Sequence, residues 1–119
     1  MPVWTFLDYV TEDGRNLVQE WYAVQDARVR AEFDQTLEWL RGISDWEDED
    51  VEQFKPLKQK HVGLGEVRFH VLATQAGSKR PFRRRFRPVG LWPPTREFQF
   101  ILLLGCPDPE TFCTSLLHR

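Results

Sequence analysis

Basic side chains are concentrated in one segment of the chain, residues 79–87, which holds six bases and no acid. Arginine carries a planar fork of N–H donors that matches the oxygens of a phosphate, and several such forks together can hold a nucleic-acid backbone. The same donors can stabilise the negative charge that develops while a phosphodiester is cleaved. We therefore expect an anion site here, and the basic residues expected to bind RNA phosphates are Lys79, Arg80, Arg85 and Arg87.

Strand alternation adds further polar residues to this set. Successive side chains of a strand point to opposite faces, so two strands over 64–74 and 81–89 each separate into an apolar and a polar face. The expected core residues are Val67, Phe69 and Val71 on the first strand and Phe82 and Phe86 on the second. The expected polar residues are Glu66, Arg68 and His70 on the first strand and Arg83, Arg85 and Arg87 on the second. If the two strands pair, the polar sets meet on one open sheet face, where like charges repel unless an anion or an acid lies among them.

A solvated sheet face is the alternative interpretation of this pattern. Glu66 and the acidic segment 45–52, which holds six acids and no base, would then balance part of the positive charge. Histidine is suited to proton transfer near neutral pH, so His70 is a candidate general acid or base. A single histidine on a strand is nevertheless more often a surface or packing residue, and the pattern alone leaves both interpretations open.

The bulk properties indicate one water-soluble domain over residues 1–119. The hydrophobic fraction of 41% is too high for a disordered chain, and the 119 residues can bury a core of their own. No segment has the length of apolar sequence that a membrane span needs, and the first ten residues lack a secretory signal, so we expect a cytoplasmic protein without a membrane partner. Cys106 and Cys113 have no matching histidine or cysteine cluster, so we expect neither a metal nor a cofactor.

The remaining elements follow from periodicity and end signals. A strand is expected over 3–10, followed by two helices over 16–41 that break near Gln25, with Asp26 as an N-cap and Gly42 as the C-terminal stop. Ser44 and Glu47 suggest a capping box for a short helical turn. Residues 55–63 are expected to be irregular because they contain Pro56.

The second half of the chain is expected to form sheet. Three strands over 64–74, 81–89 and 96–105 are separated by connections too short for a crossover helix, which predicts an antiparallel meander. Asp108 with Pro109 suggests the start of a short C-terminal helix. The fold class is therefore α+β: an N-terminal strand, a helical hairpin, a three-stranded antiparallel meander that completes a mainly antiparallel sheet, and a final helix.

Several strings, in order along nearly the whole chain, resemble the RelE/ParE toxin superfamily and especially its HigB-like, phage-derived branch. The strings are Thr11-Glu12-Asp13-Gly14-Arg15, Val18-Gln19-Glu20-Trp21, Leu64-Gly65-Glu66-Val67-Arg68, Phe82-Arg83-Arg84-Arg85-Phe86 and the apolar strand 100–105. The resemblance implies a RelE-like fold and a toxin of a type II toxin–antitoxin pair. Such a toxin cleaves mRNA, usually on the ribosome, and is neutralised by a small antitoxin protein.

The resemblance also assigns roles to individual residues. Arg68 and Arg83 match the family's basic strand residues that hold or polarise the phosphate, and strand alternation adds His70 as the proton carrier beside them. The chain departs from the family after the last strand, where 105–110 is Gly-Cys-Pro-Asp-Pro-Glu in place of paired lysines. Phe112 stands near the position of a family tyrosine, and a phenyl ring cannot transfer a proton. The connection that carries Trp92 is longer than usual in the family, so this tryptophan is a candidate for a partner surface.

Two other functions are compatible with these observations. The first is a catalytically inert binding module of the same fold, whose arginines engage an acidic antitoxin segment or nucleic acid. The second is a phage-derived structural or assembly protein in which the arginine face is only solvated. The departure at 105–110 favours an inert module, whereas the arginine alternation favours the toxin.

Overall fold

The computed structural model of the chain describes residues 3–47, 51–57, 63–73, 77, 80–93 and 97–105. Over these residues the fold is mixed α+β, as expected, with two helices and a mainly antiparallel sheet. The helices are α1 (Leu17–Ala23) and α2 (Ala27–Arg41). The strands are β1 (Thr5–Asp8), β2 (Phe54–Pro56), β3 (Leu64–Val67), β4 (Phe69–Ala73), β5 (Phe82–Phe86), β6 (Val89–Leu91) and β7 (Gln99–Leu104). The expected C-terminal helix, the two cysteines and Phe112 lie outside the described residues.

Both helices begin at the side-chain caps that their sequences provide. The Asn16 side chain accepts a hydrogen bond from the backbone N–H of Gln19, and the Asp26 side chain accepts one from the N–H of Val29. These bonds satisfy backbone donors that have no partner within the helix. Gly42 ends α2, so the predicted break near Gln25, the N-cap Asp26 and the stop at Gly42 are confirmed. Neither of these two described helices is long and apolar enough to cross a membrane.

The strands form a five-stranded sheet in the order β1-β7-β6-β3-β2 and a two-stranded sheet of β4 with β5. Only β1 with β7 is a parallel pair among the described strands, and the other pairs are antiparallel. The predicted antiparallel meander is therefore confirmed. The strand predicted over 3–10 is shorter in the structure, at Thr5–Asp8.

The predicted strands 64–74 and 81–89 are each divided in two, because a long hairpin bends where Arg68 faces Arg87. The ladder of β3 with β6 and the ladder of β4 with β5 keep one continuous register across this break. Pro88 has no N–H to donate to the ladder, although its carbonyl accepts from the N–H of Val67 at 2.8 Å. The N–H of Arg68 turns away to the carbonyl of Gln53 at 2.7 Å. The hairpin also extends to Leu91, a residue expected in the following connection.

Two predictions for the segment before the hairpin are wrong. Residues 55–63 were expected to be irregular, but Lys55 and Pro56 belong to β2, which pairs with β3 at the edge of the sheet. An edge strand tolerates Pro56 because one side of the strand has no ladder to complete. The capping box of Ser44 and Glu47 does not form, since the N–H of Glu47 bonds to the carboxylate of Asp45 at 3.0 Å and not to Ser44.

The core lies between the two helices and one face of the strands, and aromatic rings fill most of it. The buried Trp46 is surrounded by ring partners at centroid distances of 4.1 Å to Trp4, 5.2 Å to Phe54 and 5.4 Å to Phe100. Trp92, a candidate for a partner surface, is half-buried and packs against Phe54 and Phe100. The apolar face of the hairpin joins this core through residues 67, 69, 71 and 86 as expected, whereas Phe82 is exposed.

Candidate functional site

The polar residues predicted on the two strands do share one face of the hairpin. Cross-strand partners point to the same side of a sheet, and the register places His70 opposite Arg85 and Leu72 opposite Arg83. Continuation of that register places Arg68 opposite Arg87 at the bend. The expected meeting of the polar sets therefore occurs, with the exposed apolar Leu72 added at the far end of the face.

This face forms one wall of a cleft of about 310 Å³. Its lining residues are Glu32, Thr36, Glu52, Gln53, Arg68, Phe69, His70, Arg83, Arg85, Phe86 and Arg87. Five of the predicted site residues are thus brought together, namely Arg68, His70, Arg83, Arg85 and Arg87. Arg80 is exposed and is not part of the lining, and Lys79 lies outside the described residues.

A buried carboxylate organises the bend at one end of the cleft. Glu66 is only 1% exposed, and its Oε1 accepts from both Nε and Nη2 of Arg68 at 2.8 Å. Nη1 of Arg87 lies 3.5 Å from the same oxygen. A carboxylate removed from water is stable only when it is paired, and these arginines contribute to that pairing. Part of the positive charge at the bend is therefore neutralised within the fold.

The outer half of the hairpin face, away from the bend, is more exposed to solvent. Arg83, Arg85 and His70 are exposed, and neither Arg83 nor Arg85 forms an ion pair with any residue that the structure describes. Arg84 lies on the opposite side of β5, where its guanidinium carbon is 5.0 Å from the ring centroid of Phe86. The alternation therefore separates two cleft arginines from one that packs on the core side of the hairpin.

The other wall of the cleft comes from α2 and from the segment before β2. Glu32 and Thr36 lie one turn apart on α2, and the buried Thr36 hydroxyl donates to the carbonyl of Glu32 at 2.8 Å. Glu52 and Gln53 approach from the end of the acidic segment. The sequence indicated Glu52 only as a charge that balances the arginines. It gave no signal for Glu32 and Thr36, whose place depends on how α2 packs against β4.

Two pKa shifts arise from hydrogen bonds outside the cleft. A hydrogen bond to Asp34 at 2.7 Å, together with burial, raises the pKa of the Tyr22 phenol. The Arg15 guanidinium lowers the pKa of the Glu20 carboxyl by hydrogen bonding to it. Within the described ranges, no group of three or more histidine, cysteine, aspartate or glutamate residues could hold a metal ion.

Comparison with family models, with curated proteins and with solved structures found no match to this chain. What the cleft can do chemically is therefore inferred from the side chains that line it. A surface with two exposed arginines, two more at a bend and one histidine can bind an anion of extended shape. It also contains a group that can carry a proton next to that anion.

Proposed function

We propose that the chain is a toxin of a type II toxin–antitoxin pair, of the RelE/HigB type, that cleaves mRNA in the arginine-lined cleft. The observation that carries the proposal is the cross-strand register, which gathers Arg68, Arg83, Arg85 and Arg87 around His70. The order of strand, two helices and antiparallel meander is the order that the family resemblance implies. The protein would act in the cytoplasm, where a small antitoxin protein neutralises it.

The chemistry assigned to the cleft is attack of a ribose 2′-hydroxyl on the adjacent phosphorus. The attacking oxygen loses a proton and the departing 5′-oxygen gains one, while negative charge grows on the phosphate oxygens. The exposed guanidinium group of Arg83 binds that phosphate and stabilises the growing charge, and Arg85 binds the adjacent phosphate. His70 serves one proton transfer, and the carboxylates Glu32 and Glu52 of the facing wall are groups of the type needed for the other.

Growth and transcript integrity in bacteria test this proposal. Induced expression of the wild-type chain should arrest growth, and mapping of RNA 5′ ends should show new cleavage sites in mRNA. Arg85→Ala should relieve the arrest, and removal of its charged hydrogen bonds should weaken RNA binding by roughly tenfold. Full growth with intact transcripts at a confirmed level of folded wild-type protein would sink the toxin proposal.

Arg84→Ala provides a matched control for that experiment. It removes the same charge from the neighbouring position on β5, but its side chain lies on the opposite face of the hairpin. We expect Arg84→Ala to retain growth arrest and RNA cleavage. Equal loss of function in both variants would show that total charge matters and that the cleft face does not.

A catalytically inert binding module is the second candidate function. It is favoured by the sequence Gly-Cys-Pro-Asp-Pro-Glu at 105–110, which supplies none of the basic or proton-carrying groups that the family places there. The purified chain would then bind a short RNA, or a peptide rich in acidic residues, in a salt-dependent manner without cleaving RNA. Cleavage that disappears in His70→Ala, with binding retained, would instead support the toxin.

A further inference from the structure

The carboxylate of Glu66 holds an unusual place for a charged group. It lies on the same strand face as Arg68 and His70, opposite Val89, and is almost completely removed from solvent. Most carboxylates with this degree of burial are paired, and an apolar residue of similar volume often gives equal or greater stability. Stability alone therefore does not account for a glutamate at this position.

The geometry of the carboxylate indicates what it does. One oxygen, Oε1, accepts from Nε and Nη2 of Arg68 at 2.8 Å and lies 3.5 Å from Nη1 of Arg87. Convergence of two N–H groups of Arg68 on this one oxygen holds its guanidinium beside the carboxylate. The Arg68 and Arg87 side chains keep 33% and 19% of their area exposed, so both still reach the cleft.

Without this carboxylate the two arginines would repel each other. The register places Arg68 opposite Arg87, and like charges directly opposite each other on a sheet are destabilising. The bend also lacks a regular ladder, because the N–H of Arg68 bonds to the carbonyl of Gln53 instead of to the opposite strand. The shared contact with Glu66 offsets this repulsion and links both guanidinium groups at one end of the cleft.

We propose that Glu66 is a positioning residue, which holds Arg68 and Arg87 as a fixed pair that binds one phosphate of an RNA strand. This inference rests on the proposed function, since it concerns the same cleft. Glu66 does not touch the RNA, and it acts only through the two arginines. Arg83 and Arg85 then bind the neighbouring phosphates further along the face.

The direction in which RNA affinity changes when the Glu66 charge is removed distinguishes a positioning role from simple charge balance. If Glu66 only reduces the positive charge of the cleft, Glu66→Gln should tighten RNA binding. If it positions the arginines, Glu66→Gln should weaken binding by about tenfold, by analogy with the lower end of the loss in metal affinity when a group that orients a metal ligand is removed. Glu52→Gln is the matched control, because Glu52 is an exposed cleft acid, and its replacement should tighten binding roughly two- to fivefold.

The measurement is fluorescence anisotropy of a labelled short RNA with 2′-O-methyl riboses, which binds but cannot be cleaved. Affinity is recorded over a range of salt concentrations for the wild type and both variants. The slope of log K against log salt should decrease in magnitude by about 0.7 for each phosphate that Glu66→Gln no longer binds. Circular dichroism and the melting temperature establish that each variant is folded.

A second variant decides the question if Glu66→Gln does not fold. Arg68→Lys keeps the positive charge and can still pair with Glu66, but it lacks the planar fork. Positioning predicts weaker RNA binding in Arg68→Lys, whereas a pure charge effect predicts unchanged binding. If the wild type binds RNA and either folded variant binds it as tightly as the wild type or more tightly, the positioning role of Glu66 is overturned. The proposed function is not affected by that result. A wild type that does not bind RNA overturns the proposed function instead.

Discussion

The four arginines of the cleft differ in ion pairing and in exposure to solvent. Arg68 and Arg87 contact the buried Glu66 and are partly shielded, whereas Arg83 and Arg85 are exposed. An ion pair in a half-buried site holds its geometry, while an exposed guanidinium retains rotamer freedom that it loses on binding. Under the proposed function, we therefore expect a rigid anion site at the bend and an adaptable one on the outer hairpin.

At the residue scale, the hydrogen bond between Tyr22 and Asp34 predicts a pH effect. The bond favours the protonated phenol, so the pKa of Tyr22 in the folded protein lies above its ordinary value of about 10. The stability from this bond is fully present below the unfolded-state pKa, and it is lost as the pH rises through the higher folded-state pKa. Asp34→Asn should lower the pKa of Tyr22 towards its ordinary value.

Ultraviolet absorbance of tyrosinate measures this titration directly. The chain has two tyrosines, so the difference between the wild type and Tyr22→Phe isolates Tyr22 from Tyr9. A Tyr22 titration that is identical in the wild type and in Asp34→Asn would contradict the assigned cause. Stability to urea at increasing alkaline pH should fall in the wild type more than in Tyr22→Phe.

At the element scale, the bent hairpin depends on two glycines that face each other across β3 and β6. A Cβ atom on Gly65 would lie 2.2 Å from the ring of Phe54, and one on Gly90 would lie 2.3 Å from the ring of Phe100. The absence of side chains lets these two buried rings cover the backbone of the strands. The aromatic core therefore packs against the strand backbone at Gly65, the residue directly before Glu66.

Gly65→Ala is therefore expected to destabilise the fold by about 1–3 kcal/mol, the usual cost of overpacking a well-packed core. Gly42→Ala is the control, because its Cβ would meet nothing closer than the Trp39 carbonyl oxygen at 3.8 Å and its φ is −87°. That variant should change stability by no more than about 0.5 kcal/mol. Urea denaturation followed by tryptophan fluorescence compares the two, and equal stability in both variants would contradict the packing described for Phe54.

The N-cap of α2 gives another prediction at this scale. Asp26 accepts from the N–H of Val29 at 2.9 Å, so Asp26→Ala should lower the free energy of unfolding by about 1 kcal/mol. Asp45→Ala removes a similar bond to the Glu47 N–H, but that bond caps no helix. We expect it to cost less than about 0.5 kcal/mol. A larger loss of stability in Asp45→Ala than in Asp26→Ala, by urea denaturation, would contradict the helix-capping assignment.

Some features of the fold are determined by residues close together in the sequence, and others only by tertiary packing. The caps at Asp26 and Gly42 and the alternation of Arg83, Arg85 and Arg87 depend on neighbours in the chain, and each was predicted correctly. The edge strand β2 was missed because Pro56 argues against a strand unless its place at the edge is known. Glu32 was missed at the cleft because only the packing of α2 against β4 brings it there.

At the scale of the whole molecule, the net charge and the cleft act in opposite directions on a nucleic acid. The chain carries a formal charge of −2, which repels a polyanion at long range, yet the arginines are gathered on one face. Charges separated by more than a Debye length, about 8 Å at physiological salt, are largely screened from each other. Contacts within the cleft are shorter than that distance, so we expect the local patch to determine the affinity for RNA and the net charge to affect the rate of approach.

The salt dependence of RNA binding tests which of these two fields controls affinity. If the cleft controls it, each phosphate contact releases counterions, and the slope of log K against log salt is about −0.7 per contact on single-stranded RNA. Four arginines acting on separate phosphates would give about −2.8, and a pair that shares one phosphate at the bend would give about −2.1. If the net charge of −2 controls it, added salt screens the repulsion and binding strengthens. A positive slope, measured by anisotropy with the uncleavable RNA, would therefore remove the cleft as the binding surface.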